Sequence, residues 1–220
     1  MTGNFHVSDH PLVQHKLTHM RKRKEDLRSR EFVRLMREMG MLMAYEVTAD
    51  IKLPAEKRIN TETGGVTTGR TLGRQKPVIV PILRTGLIMA EGLQDVIPTT
   101  LTGHIGIQYQ ARHQDPNENP IDYLVTLPDD IRDRHFIIVD PVVATGVTAC
   151  RAISMLREFE IKSENIRFVT ILVTRVAKQR LIKEHEGVTV YCASDEEELL
   201  DGTRVLNGLG YVSERLYRTN

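Results

Sequence analysis

Apolar positions in this chain fall into short unbroken runs and helical stripes, and their alternation sets the expected fold class. Phe136, Ile137, Ile138 and Val139 form one such run, which reads as a strand covered on both faces. Pro77 to Leu83, PVIVPIL, reads the same way, and Leu101 to Ile107, Asn165 to Val173 and Val188 to Cys192 are further strand candidates. Between them lie the stripes. Ser29 to Tyr45 places Phe32, Leu35, Met36, Met39, Leu42 and Met43 on one broad helical face. Leu87 to about Val96 reads as a helix. After Thr148 the residues Ala149, Ile153, Leu156 and Phe159 recur at helical spacing, and another helix runs through Lys183. Buried strands alternating with helices predict an α/β fold, with a central, mostly parallel sheet flanked by helices, in a single domain over residues 1–220.

The polar stretches complete this outline. Met1 to Ser8 reads as a loose end, with Asp9 as the cap and Pro11 in the first turn of a helix. Leu12, His15 and Leu17 then alternate toward a partner surface. Lys57 to Leu72 alternates weakly around Thr63-Gly64-Gly65, which predicts a hairpin. Gln108 to Pro128 is polar and carries prolines, so it reads as a long loop or mobile arm. Asp195 to Glu198 reads as an exposed helix start.

Composition narrows the chemistry. The chain has 220 residues, 40% hydrophobic and 27% charged, as expected of a soluble globule. A net charge of +1 gives no basic footprint for nucleic acid and no pull toward a membrane surface. Arg21 to Lys24 is answered by Glu25 and Asp26, a solvated face. Cys150 and Cys192 are far apart and in no CxxC, which predicts structural thiols in a reduced compartment. No secretory leader and no apolar run of spanning length is seen, so the expected location is the cytoplasm. His15 and His19 have a ligand spacing but no third partner nearby, and no protein-built metal site is expected. The GxxxxGK[ST] pattern of ATP-binding loops is absent, and Gly208-Leu209-Gly210 lacks the third glycine of a dinucleotide fingerprint.

The most informative stretch is FIIVDPVVATGVT, Phe136 to Thr148. Asp140 closes the strand, Pro141 stops it, and Ala144-Thr145-Gly146 forms a loop of small residues before a helix. Unpaired N–H groups and the helix dipole make such a loop an anion site. A second strand, PVIVPIL, ends at Arg84, whose planar, permanently charged fork suits phosphate.

This stretch resembles the phosphoribosyl-diphosphate signature of type I phosphoribosyltransferases. Pro141, standing where most of them have a second acid, is similar to the uracil phosphoribosyltransferase branch. HPLVQHKLTHMR, MLMAYEVTADIKLP, VPILRTGLIMAEGL, TGHIGI and the tail GLGYVSERL extend the resemblance over nearly the whole chain. It implies an N-terminal helical segment, a β-hairpin arm reaching a second subunit and a C-terminal hood over the base. It also implies transfer of the 5-phosphoribosyl group to uracil, giving UMP and diphosphate. Asp140 would hold the ribose and offset charge on the sugar. Pro141, Val142, Val143, Ala144, Thr145, Gly146, Val147 and Thr148, with Arg84 and Arg112, would bind the phosphoribosyl diphosphate. Val205, Gly210, Tyr211 and Val212 would bind uracil. Mg²⁺ would arrive mainly on the substrate's diphosphate. A homodimer or higher homo-oligomer is implied, with GTP as an effector in some relatives.

Several positions depart from the family pattern. Gln110 follows Tyr109 where an Arg is usual, leaving Arg112 as the substitute. Tyr211 stands for an Asp, Ser213 for a Gly and Asn207 for a Pro, while Thr174 to Lys178 replaces an Ala-Ala-Pro-Glu-Gly loop. Tyr211 and Gln110 keep a second reading open: a paralogue weak in activity or specific for another base, or a non-catalytic sensor of phosphoribosyl diphosphate or a nucleotide.

Overall fold

A computed structural model describes residues 4–72, 76–98, 100–108, 120–131, 134–202 and 204–218. The chain opens with a short strand β1 (Phe5–Val7), then helices α1 (Pro11–Met20) and α2 (Ser29–Thr48). A hairpin of β2 (Lys57–Asn60) and β3 (Val66–Gly69) leads to β4 (Val78–Leu83) and α3 (Leu87–Val96). Strands β5 (Leu101–Thr102), β6 (His104–Gln108), β7 (Ile121–Thr126), β8 (Phe136–Val139) and β9 (Val142–Val143) precede α4 (Val147–Glu158). Next come β10 (Ile166–Val169), β11 (Leu172–Thr174) and α5 (Arg175–Glu184). The chain ends with β12 (Thr189–Cys192), β13 (Ser194–Glu197), β14 (Leu199–Leu200), β15 (Arg204–Val205) and α6 (Val212–Tyr217).

The main sheet runs β1-β12-β10-β8-β4-β6-β7, with β5 beside β4, and every pairing along it is parallel except β6 with β7. Alternation on β8 divides the core into two layers. Ile137 and Val139 face α1, α2, α3 and α6, where Phe32, Met36, Met39, Met43 and Leu93 are buried. Phe136 and Ile138 face α4 and α5, where Ile153, Leu156 and Leu181 are buried. Helices α2 and α3 approach backbone to backbone. A Cβ on Gly40 would stand 2.1 Å from the Met89 carbonyl oxygen, and one on Gly92 would stand 2.0 Å from that of Arg37.

Five expectations are corrected. Phe5–Val7 is not loose: it pairs in parallel with β12, because Asn4, Phe5 and their neighbours complete an otherwise open sheet edge. His10, not Asp9, caps α1, its ring Nδ1 accepting from the Leu12 N–H at 3.2 Å. Residues 121–126 are no loop but an antiparallel strand against β6; residues 109–119 of the expected arm lie outside the described residues. Asp195 to Glu198 does not start a helix. Ser194–Glu197 is a strand parallel to β11, where Asp195 pairs with Lys178 and Glu197 with Arg21, so those carboxylates are spent on tertiary ion pairs. Leu17 is buried in this chain's own core rather than turned to a partner, while Leu12 is exposed. No helix among the described residues is long and apolar enough to cross a membrane.

Candidate active site

Neighbouring parallel strands β4 and β8 end side by side, and their C-terminal ends carry the charged residues singled out above. Ligands of open α/β sheets bind at such ends. Asp140 directly follows β8, and its backbone N–H donates to the Val169 carbonyl at 3.2 Å. Thr85 follows β4, and its hydroxyl donates to Asp140 Oδ1 at 2.8 Å. The loop carrying Thr85 comes this close because Gly86 has no side chain: a Cβ there would stand 2.2 Å from the Val139 carbonyl oxygen. Burial pushes the Asp140 carboxyl up to about 7, opposed by the bond from Thr85.

The loop from Pro141 to Gly146 is held from below. The Pro141 carbonyl accepts from the N–H groups of Ile171 and Leu172, at 3.0 and 3.2 Å, and Val142 and Val143 pair with β11. Val143 is buried in the core, so its backbone alone is left for a ligand. The Thr174 hydroxyl donates to the Ala144 carbonyl and also caps α5, accepting from the Ala177 N–H at 3.1 Å. That gives the unfamiliar Thr174 to Lys178 junction a role: it props the small-residue loop. Gly146 turns the chain into α4 at φ +81, a conformation that favours glycine, and packs against Ala177. Gly146 has no side chain to cap α4, and the Thr145 hydroxyl accepts from the Val147 N–H at 3.5 Å, so the start of the helix offers its positive dipole beside that hydroxyl.

The tail closes the other side. A cavity of about 460 Å³ lies between the two loops and the tail, lined among others by Thr85, Ala144, Val205, Gly210, Tyr211 and Val212. The four residues expected to meet uracil therefore share one wall. The Val205 carbonyl already accepts from the Gly208 N–H at 3.2 Å, which leaves one lone pair. Arg84 is exposed at the mouth, where its guanidinium donates to Ser213 Oγ at 3.2 Å and lies 5.4 Å from the centre of the Tyr217 ring. The Tyr217 hydroxyl donates to the Arg84 carbonyl at 2.8 Å. Tyr211 is 58% exposed, with Arg204 beside it and 3.3 Å from its hydroxyl. Arg112 and Gln110 lie outside the described residues.

One anchor went unassigned in the sequence. Arg215 is 6% exposed, yet it has no acid for a partner among the described residues. Its guanidinium donates to the carbonyls of Met20, Leu209 and Lys22 and lies 3.8 Å from the centre of the Phe32 ring. It thus holds the Gly208–Gly210 turn onto the N-terminal helices. Thr85 and Thr174 were also unassigned. Their signals were present, a hydroxyl adjoining Arg84 and a Thr at a strand–helix junction, but neither spacing tells which distant atom the hydroxyl meets.

Comparison with known proteins matches this arrangement. The family model described as uracil phosphoribosyltransferase matches residues 7–219. A uracil phosphoribosyltransferase of Dictyoglomus turgidum is 41% identical over 215 residues, covering 97% of this chain and 98% of the relative. That of Macrococcus caseolyticus is 40% identical over 218 residues, covering 99% of each. Among solved structures, the AQ2163 protein of Aquifex aeolicus has a TM-score of 0.86 at 27% identity, covering 97% of both chains. The adenine phosphoribosyltransferase of Trypanosoma brucei shares the fold, with a TM-score of 0.58 at 12% identity over 92% of this chain and 87% of that one. With a carboxylate, an open helix start and a tail-built pocket at the ends of β4 and β8, and with a family match over nearly all of its length, the chain belongs to the uracil phosphoribosyltransferase family.

Proposed function

We propose that this chain transfers the 5-phosphoribosyl group of 5-phosphoribosyl diphosphate to uracil, giving UMP and diphosphate. The observation that carries this reading is the position of Asp140, at the end of β8, ahead of the loop that enters α4 and bonded to Thr85, which lines the tail pocket. In this reading the N–H groups of Ala144 to Thr148 and the hydroxyls of Thr145 and Thr148 grip the 5-phosphate. Arg84 leaves Ser213 to hold the diphosphate. Asp140 accepts from the ribose hydroxyls and faces the positive charge that builds on the sugar as the bond to diphosphate breaks. Fixed charge of that kind is worth roughly 3 kcal/mol, a hundredfold or more in rate. Backbone groups at Val205, Gly210 and Val212 recognise the uracil edge, and Tyr211 stands at the pocket rim. Arg112 joins the diphosphate from the 109–119 segment.

The donor set fits Mg²⁺ carried by the substrate. Asp140 accepts a side-chain hydrogen bond from Thr85, which lines the pocket, and so keeps acceptor capacity; no carboxylate lines the pocket itself among the described residues. Asp140 and water would hold the ion, which when bound offsets negative charge on the diphosphate.

The reading extends to a cytoplasmic homodimer or larger homo-oligomer. The β2–β3 hairpin supports it, because Ile59 and Val66 are 44% and 53% exposed on an arm whose two strands pair with each other and, among the described residues, with no other strand. It extends also to GTP as an effector. The test mixes the protein with Mg²⁺, phosphoribosyl diphosphate and labelled uracil, with and without GTP, and follows UMP. Bound substrates with no nucleotide formed, from uracil or any other base, would overturn it. Light scattering reads the assembly.

A further inference from the structure

Away from the pocket, on the α4–α5 side of the sheet, three side chains of metal-ligand type meet. The ligand atoms of Cys150, Glu184 and His185 all lie within 4.8 Å of one another. Cys150 sits in the first turn of α4 and is 5% exposed, whereas Glu184 ends α5, faces solvent, and is followed by His185, 6% exposed. Two further observations point to a ligand. His185 Nδ1 is buried with no hydrogen-bond partner, although unpaired buried nitrogens are costly. His185 also lines a second cavity, of about 490 Å³, together with Lys183 and Glu186.

We propose that Cys150, Glu184 and His185 form a binding site for one Zn²⁺-class divalent cation, clipping the end of α5 to the first turn of α4. One thiolate, one imidazole and one carboxylate, with water in the fourth position, is a donor set that zinc takes. Nε2 lies 3.5 Å from Ser154 Oγ and Nδ1 has no partner, so a neutral ring keeps one nitrogen lone pair for the metal. A free cysteine thiol is protonated near neutral pH. Binding therefore forms the metal–sulfur bond, displaces a water from the ion and releases the thiol proton to solvent. Glu184 also stands 3.8 Å from Arg180, and this partly exposed pair yields to the cation.

The site lies directly behind the anion loop. The Cys150 N–H donates to the Gly146 carbonyl at 2.8 Å, and α5 begins at the Thr174 that props Ala144. An occupied site ties together the two helices that support that loop. This does not depend on which base the enzyme uses.

The experiment adds Co²⁺ and then Zn²⁺ to chelator-treated full-length protein. One Co²⁺ should bind per chain with a thiolate-to-cobalt charge-transfer band, Zn²⁺ should displace it and raise Tm, and calorimetry in two buffers should count about one released proton. Cys150→Ser should abolish the band. Glu184→Gln, at a solvent-facing position, should weaken binding at least tenfold with an unchanged metal-free Tm. Replacing His15 and His19, whose ring centres are 4.6 Å apart, should change nothing. No band in the wild type, or a band that survives Cys150→Ser, overturns the proposal.

Discussion

The Thr85 hydroxyl donates to Asp140 across 2.8 Å, joining the turn after β4 to the end of β8. This bond directly links the two loops, and it opposes burial in the charge state of the carboxylate. Burial favours the protonated form, and the Thr85 donor favours the ionised one.

The first prediction concerns pH. Asp140 must be ionised to meet a cationic sugar, so kcat/KM for phosphoribosyl diphosphate should fall below a pH of about 7. Thr85→Val removes the opposing donor and should move that inflection upward by roughly one unit. A rate profile over pH 5 to 9 checks both, with Asp140→Asn showing which limb belongs to the enzyme rather than to the substrate phosphates. An inflection unmoved by Thr85→Val would break the link.

Stability should run against activity at the same residue. The folded carboxyl titrates at about 7 against an ordinary value of 3.8, so between these limits the native state keeps a proton that the unfolded chain releases. Stability therefore declines as pH rises through that window, and the full cost is present above it. Asp140→Asn should be more stable than the parent at pH 8 by about 2–4 kcal/mol, with the gap closing toward pH 4. Urea midpoints at the two pH values measure this.

Tyr211 carries the third prediction. It lines the pocket where the family pattern has an acid, with its hydroxyl beside Arg204. Tyr211→Asp should raise turnover on uracil by roughly tenfold to a hundredfold, the worth of one charge-stabilising contact. Steady-state kinetics at saturating Mg²⁺ decide it, and unchanged turnover would remove Tyr211 from the reacting centre.

Arg215 should prove structural, with a functional echo. Arg215→Met leaves the Met20, Leu209 and Lys22 carbonyls without their shared donor, at a cost of roughly 3 kcal/mol. Because Leu209 sits in the base pocket, KM for uracil should rise more than KM for phosphoribosyl diphosphate. A denaturation curve alongside the two KM values tests this, and equal rises would contradict the pocket-specific role.

Much of this site was legible before any coordinates. Unbroken apolar runs marked β4 and β8 because strands covered on both faces need no alternation. Asp140, Ala144 to Thr148 and Arg84 followed from where those runs stop. What stayed hidden depended on distant partners. Phe5–Val7 is too short to show a period, and its strand state comes from β12, more than 180 residues later. Asp195 to Glu198 has the composition of a helix start, but Lys178 and Arg21 hold Asp195 and Glu197 in extended chain. Residues 121–126 sit in polar company and pair because β6 offers an edge. Arg215 belongs to the tail that carries the resemblance, but its contacts stayed hidden, since nothing local announces three carbonyls at sequence distances of 6 to 195.

Strand β8 feeds alternate side chains to both helical layers and then leads into Asp140, the carboxylate proposed to meet the sugar. Repacking either layer should therefore shift that group. Durability and turnover are mechanically yoked in this chain, and an engineer seeking to harden it should begin at the β2–β3 arm, whose strands share no ladder with β8.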